Sequence, residues 1–124
     1  MKFGYTIFYV DSVEASIAFY EKAFGFKREM VAGEEFGQLA TGETKLAFAA
    51  KKMLHGPGLF ASPEGKVLGV EIALVTDKVQ AAFDKAVAAG AMAVSKPEQK
   101  PWGQTVAYVR DNNGFLVELC TPVG

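Results

Sequence analysis

The feature that most constrains this chain is that it repeats itself. Tyr5–Ile7–Tyr9 followed by Asp11-Ser12-Val13-Glu14-Ala15 recurs in kind as Glu71–Ala73–Val75 followed by Asp77-Lys78-Val79-Gln80-Ala81. From Asp11 to Asp77 is 66 positions, and the same step carries Phe36-Gly37-Gln38 onto Trp102-Gly103-Gln104. Further on, Lys45-Leu46-Ala47-Phe48 lines up with Phe115-Leu116-Val117-Glu118 after a short insertion in the second copy. Self-similarity at one period, in the same order, marks a structural unit used twice.

Each copy reads as βαβββ. Phe3–Val10 and Val67–Thr76 are rich in β-branched and aromatic residues, as strands are. Asp11 with Glu14, and Asp77 with Gln80, have the spacing of a helix-starting capping box. Val13, Ile17, Tyr20 and Phe24 then recur at steps of four, three and four, which is one face of a helix. Val79, Phe83, Ala86 and Gly90 repeat that stripe, with Val87 widening it. Gly25 and Gly90 stand where a left-handed residue ends each helix. Three strands follow in each copy: Lys27–Ala32, Glu35–Ala40 and Lys45–Ala50, then Met92–Ser95, Thr105–Arg110 and Phe115–Leu119. Asn113-Gly114 predicts a tight turn, since both residues tolerate positive φ. The stretch 51–66 reads as a long loop between the copies.

The spacing therefore predicts a single α+β domain over 1–124, with repeat one at about 1–50, a linker at about 51–66 and repeat two at about 67–124. A βαβββ unit leaves one sheet face uncovered. Two copies side by side give a half-barrel with helices outside and a cleft inside, paired within one chain or exchanged between two.

Composition narrows the function classes. Lys and Arg number 13 against 14 Asp and Glu, a net charge of -1. That balance offers neither the basic footprint of a nucleic-acid binder nor a cationic face for a membrane. The early acids Asp11 and Glu14 argue against a secretory signal, and no apolar run approaches a membrane span. One cysteine, Cys120, allows no internal disulfide and fits a reducing compartment. A cytoplasmic protein is expected.

Phe8-Tyr9-Val10-Asp11-Ser12-Val13-Glu14-Ala15-Ser16-Ile17-Ala18-Phe19-Tyr20, Ala23-Phe24-Gly25-Phe26, and the block from Pro101-Trp102-Gly103-Gln104 through Arg110-Asp111-Asn112-Asn113-Gly114-Phe115-Leu116-Val117-Glu118-Leu119 resemble the vicinal oxygen chelate superfamily. That superfamily includes glyoxalase I, extradiol dioxygenases, and the bleomycin and fosfomycin resistance proteins. The resemblance covers essentially the whole chain and implies the paired βαβββ fold. It also implies a place to look for a metal, held in the family's enzymes by His and Glu from inner strands of both copies. Carried over singly, those positions fall on Tyr5, near Phe48, on Glu71 and on Glu118. Only Glu118 keeps the usual identity, Glu71 is a substitute carboxylate, and Phe48 cannot ligate.

Transition metals favour imidazole with some carboxylate, and three side chains are the usual minimum for a catalytic site. Two acids and a phenol fall short, so no metal or other cofactor is expected; the alternative is an oxygen-only site for Mg or Mn. The expected function is metal-independent binding of a small organic molecule, similar to the bleomycin-resistance branch. Trp102, Phe36 and Phe60 would form aromatic walls, with Glu71 and Glu118 as polar contacts. The ligand-binding candidates are thus Tyr5, Phe36, Phe48, Glu71, Trp102, Glu118 and the only histidine, His55, in the central loop. Rivals are a glyoxalase-type lyase, isomerase or dioxygenase with an unusual metal site, and a structural or regulatory dimer. A homodimer is the expected assembly. Cys120, on the face of Glu118 by alternation, reads as a buried structural thiol.

Overall fold

The computed structural model describes residues 5–53 and 71–122. The chain divides into two compact units that largely follow the two repeats. In the first, β1 (Tyr5–Val10), α1 (Val13–Phe24), β2 (Lys27–Ala32), β3 (Phe36–Ala40) and β4 (Lys45–Ala50) follow in chain order. In the second come β5 (Glu71–Val75), α2 (Val79–Ala88), β6 (Met92–Gln99), β7 (Thr105–Arg110) and β8 (Leu116–Cys120). The sheet orders are β1-β4-β3-β2 and β5-β8-β7-β6, with β1 parallel to β4, β5 parallel to β8, and the remaining pairs antiparallel. Two βαβββ modules of an α+β fold are therefore present, as the repeat predicted. The stretch read as a loop from residue 51 begins with a 3-10 turn at Lys51–Met53.

Each helix seals one face of its own sheet. In α1, Val13, Ile17, Tyr20 and Ala23 are buried, and Tyr20 meets Phe48 of β4 edge-on with ring centroids 5.0 Å apart. Gly37 of β3 lies directly under the helix. A Cβ built there would stand 2.9 Å from Val13 Cγ1 and 3.1 Å from Ile17 Cγ1, closer than carbon atoms pack, so only glycine lets α1 lie this near the sheet. In the second unit α2 packs across β6, β7 and β8 and buries Val79 and Ala86. Val87 does not widen that stripe; it is 38 % exposed.

The helix starts differ from the expectation by one residue. Ser12, with Asp11 beside it, caps α1, its Oγ accepting from the Ala15 amide at 3.1 Å. Asp11 instead pairs with Lys51 at 3.3 Å. For α2 the cap position falls on Lys78, which makes no side-chain cap, while Thr76 Oγ1 accepts from the Lys78 amide. Gln80 spends its amide on Asp84. The later turn at Asp111–Gly114 is held by Asp111, whose Oδ1 accepts from the amides of Asn113 and Phe115, both at 2.8 Å. Only Gly114 there takes positive φ, at 88°.

Candidate functional site

A strand's side chains alternate between faces, so one covered face leaves every second residue on the other. In the first sheet the helix takes Phe8, Val10, Gly37, Leu39, Leu46 and Phe48. The helix-free face carries Tyr5, Ile7 and Tyr9 of β1, Lys45, Ala47 and Ala49 of β4, and Phe36 and Gln38 of β3, matched by the register Tyr5↔Lys45, Ile7↔Ala47, Gln38↔Ala47 and Phe36↔Ala49. Tyr5 is 58 % exposed there. A β-bulge between Arg28 and Met30 turns Glu29 to this face, where its Oε2 accepts from Lys45 Nζ at 3.0 Å and Gln38 Nε2 at 3.3 Å. The Lys45 ammonium, then the Gln38 amide, hold the Glu29 carboxyl below its ordinary range. Arg28, pointing the other way, bridges Glu14 and Glu21 of α1.

The second sheet's helix-free face carries Glu71, Ala73 and Val75 of β5, Leu116, Glu118 and Cys120 of β8, and Val106, Tyr108 and Arg110 of β7. Glu118 stands opposite Ala73 on one side and Tyr108 on the other. The Tyr108 hydroxyl donates to Glu118 Oε1 at 2.9 Å. That hydrogen bond, helped by burial and the nearby Glu71 and Cys120 charges, pushes the Tyr108 phenol up to about 12. Burial first, then the Glu118 carboxylate, pushes the Cys120 thiol up to about 11. With the side chain 3 % exposed, Cys120 is a buried thiol with little thiolate to react.

The two faces together test the candidates read from sequence. Glu71 and Glu118 share the helix-free face of the second sheet, two residues apart in register along neighbouring strands. Tyr5 and Phe36 share the helix-free face of the first. Phe48 does not belong with them. It is fully buried against Tyr20 and Phe8 on the helix side, and the residue of β4 that matches Glu118 is Ala47, since Ile7↔Ala47 corresponds to Ala73↔Glu118. The proposed repeat alignment was one residue out, and in a strand one residue is the other face.

The match of Phe36 with Trp102 also fails. Gln38 and Phe36 of β3 correspond to Tyr108 and Val106 of β7, because Gln38↔Ala47 mirrors Tyr108↔Glu118. Trp102 instead lies in the turn before β7, 66 % exposed, its Nε1 donating to Gln104 Oε1 at 2.9 Å. Gln104 in turn donates to the Thr121 carbonyl at 2.8 Å, so it is a structural clasp. His55 and Phe60 lie outside the described residues.

With the register corrected, the positions that the resemblance assigns to a metal hold a phenol (Tyr5), a methyl (Ala47) and two carboxylates (Glu71, Glu118). This donor set does not fit a divalent transition metal, because catalytic sites usually use three ligating side chains and here only two carboxylates ligate readily. Among the described residues, no group of three His, Cys, Asp or Glu is arranged to hold an ion. Hollows of about 470 Å³ and 490 Å³ open at the starts of α1 and α2, away from both helix-free faces. In the first, Lys51 and Lys52 are spent on Asp11 and Glu34. Neither contains a residue that the sequence singled out for binding.

Comparison with known proteins follows the same lines. The family model described as the Glyoxalase/Bleomycin resistance protein/Dioxygenase superfamily matches residues 2–119. Among solved structures, the chain is similar to a glyoxalase-related enzyme from Fulvimarina pelagi, at 19 % identity and a TM-score of 0.78, covering 98 % of this chain and 88 % of that one. It is similar to a glyoxalase/bleomycin resistance protein/dioxygenase family enzyme from Burkholderia phytofirmans PsJN, at 22 % identity and a TM-score of 0.76, over 95 % and 96 % of the two chains. TioX from Micromonospora sp. ML1 matches at 22 % identity and a TM-score of 0.73, over 98 % of each chain. At these identities the likeness is one of fold. No curated protein sequence matches the chain.

Proposed function

The chain belongs to the glyoxalase/bleomycin resistance protein/dioxygenase superfamily, and from that premise we propose that it is a metal-independent binding protein for a small organic molecule. Membership brings a scaffold that serves many chemistries, so the reading has to come from the site. One observation carries it. Glu118, at the position where the resemblance puts a chelating carboxylate, is hydrogen-bonded to Tyr108, and the register-matched position of the other copy is Ala47. A carboxylate so placed accepts hydrogen bonds from a ligand's N–H or O–H groups, and binding needs no Lewis acid.

In this reading the chain is one domain, and the helix-free faces of its sheets carry the binding residues. Tyr5, Phe36 and Trp102 offer flat apolar surface, and Glu71 and Glu118 offer acceptors. An aromatic molecule bearing an amine meets both demands. The protein acts as a homodimer in the cytoplasm and works by sequestering its ligand. No helix among the described residues is long and apolar enough to cross a membrane, which is compatible with that placement.

Fluorescence of Trp102, the chain's single tryptophan, tests the reading. Titration with a panel of aromatic amines should quench it saturably for some members. Glu118→Gln should weaken those complexes about tenfold or more, the worth of a hydrogen bond to a charged group. Affinity that ignores Glu118→Gln, or turnover that appears only when a divalent metal is added, would overturn it.

A further inference from the structure

We infer that Tyr108 is the positioning residue of this site: it fixes the Glu118 carboxylate that the ligand meets. The inference rests on the proposal that Glu118 receives the ligand. A glutamate on an uncovered sheet face is a long, rotatable side chain, and ordering it at the moment of binding costs affinity. Here the ordering is already done. Tyr108 stands directly opposite Glu118 in the antiparallel β7–β8 register, and its hydroxyl reaches Oε1 at 2.9 Å. The phenol has only two torsions, so it is a stiff support. Cys120 lies two residues along the same strand and face, buried beside this pair.

The first unit uses the matching position in the same way. Gln38, the register counterpart of Tyr108, also holds a carboxylate on its own helix-free face, that of Glu29 on β2. There, however, Lys45 neutralises the acid. In the second unit the ion pairs found among the described residues do not include Glu118. An inner strand of each sheet, β3 or β7, therefore holds an acid, and among the described residues the second unit's acid has no ion-pair partner.

A purely structural tyrosine and a positioning one differ in what Tyr108→Phe does. The ring stays, and only the hydroxyl is lost. Benzylamine serves as the probe, in a double-mutant cycle on the full chain. Tyr108→Phe should weaken its binding about fivefold when Glu118 is present and less than about twofold in the Glu118→Gln background. Equal losses in both backgrounds would overturn the inference. A second readout needs no ligand. Tyrosinate absorbance on raising the pH should show one of the four tyrosines ionising near 12, and Glu118→Gln should bring that step back toward about 10. An unmoved step would also overturn it. If benzylamine binds and Glu118→Gln leaves its affinity unchanged, the proposed function fails, while the tyrosinate step still judges Tyr108.

Discussion

Replacing Phe48 by alanine separates the core from the candidate site. Phe48 is fully buried and packs edge-on against Tyr20 at 5.0 Å and Phe8 at 6.1 Å. Removing its ring deletes buried apolar surface and leaves a cavity under α1, a change that costs about 3–5 kcal/mol in a well-packed core. Unfolding entropy of about 2.1 cal/mol/K per residue over 124 residues converts that cost into a fall in Tm of about 12–19 °C. Tyr5→Ala, on the helix-free face, should cost about 1 kcal/mol or less, because Tyr5 is already 58 % exposed. Denaturant melts of both variants at an unchanged m-value measure the difference. If Phe48→Ala cost no more than Tyr5→Ala, Phe48 would not be under the helix and the corrected register of β4 would be wrong.

Three further outcomes follow from the packing and the titrating groups. Gly37→Ala should destabilise by about 1–3 kcal/mol in a chemical melt, because its Cβ would stand 2.9 Å from Val13 Cγ1; a stabilised variant would mean that α1 does not press on β3. Cys120, buried with its thiol pushed up to about 11, should react with a disulfide reagent at neutral pH only as fast as the protein opens; stoichiometric labelling within seconds would contradict that burial. The Tyr108 phenol ionises higher in the folded chain, at about 12, than the ordinary value of 10.0. The folded state therefore holds its proton longer, so this contribution to stability is fully present below about 10 and is lost as pH rises toward 12. Alkaline melts of wild type should lose stability over that window more steeply than those of Glu118→Gln, and parallel curves would refute the coupling.

Much of the fold was legible because its cues are local. Periods of two and of 3.6 named the strands and helices, and β2, β4 and β7 fall where the residues put them. The site was harder because register is not local. β6 runs to Gln99, eight residues against six in β2, so the constant 66-residue step no longer holds beyond the helices. Trp102 was thereby matched to Phe36, and the second-copy insertion was counted one residue short, which put Phe48 in the place of Ala47. Tyr108 was missed altogether. A two-residue turn at Asn113-Gly114 would pair Tyr108 with Leu119, whereas the turn closes wider, at Asp111 and Phe115, and pairs it with Glu118. Glu29 had no such signal, since it reaches the helix-free face only through the bulge beside Arg28. The capping boxes misled because Ser12 is itself a good cap next to Asp11.

Calorimetric titration of metal-stripped protein with Zn²⁺, Ni²⁺, Mn²⁺ and Mg²⁺ bears most directly on the proposal that the site binds without an ion. No one-to-one heat at micromolar protein is the expected result for any of the four. Stoichiometric uptake of one of them that disappears in Glu118→Gln would contradict it, and would make Glu118 a ligand instead of a hydrogen-bond acceptor.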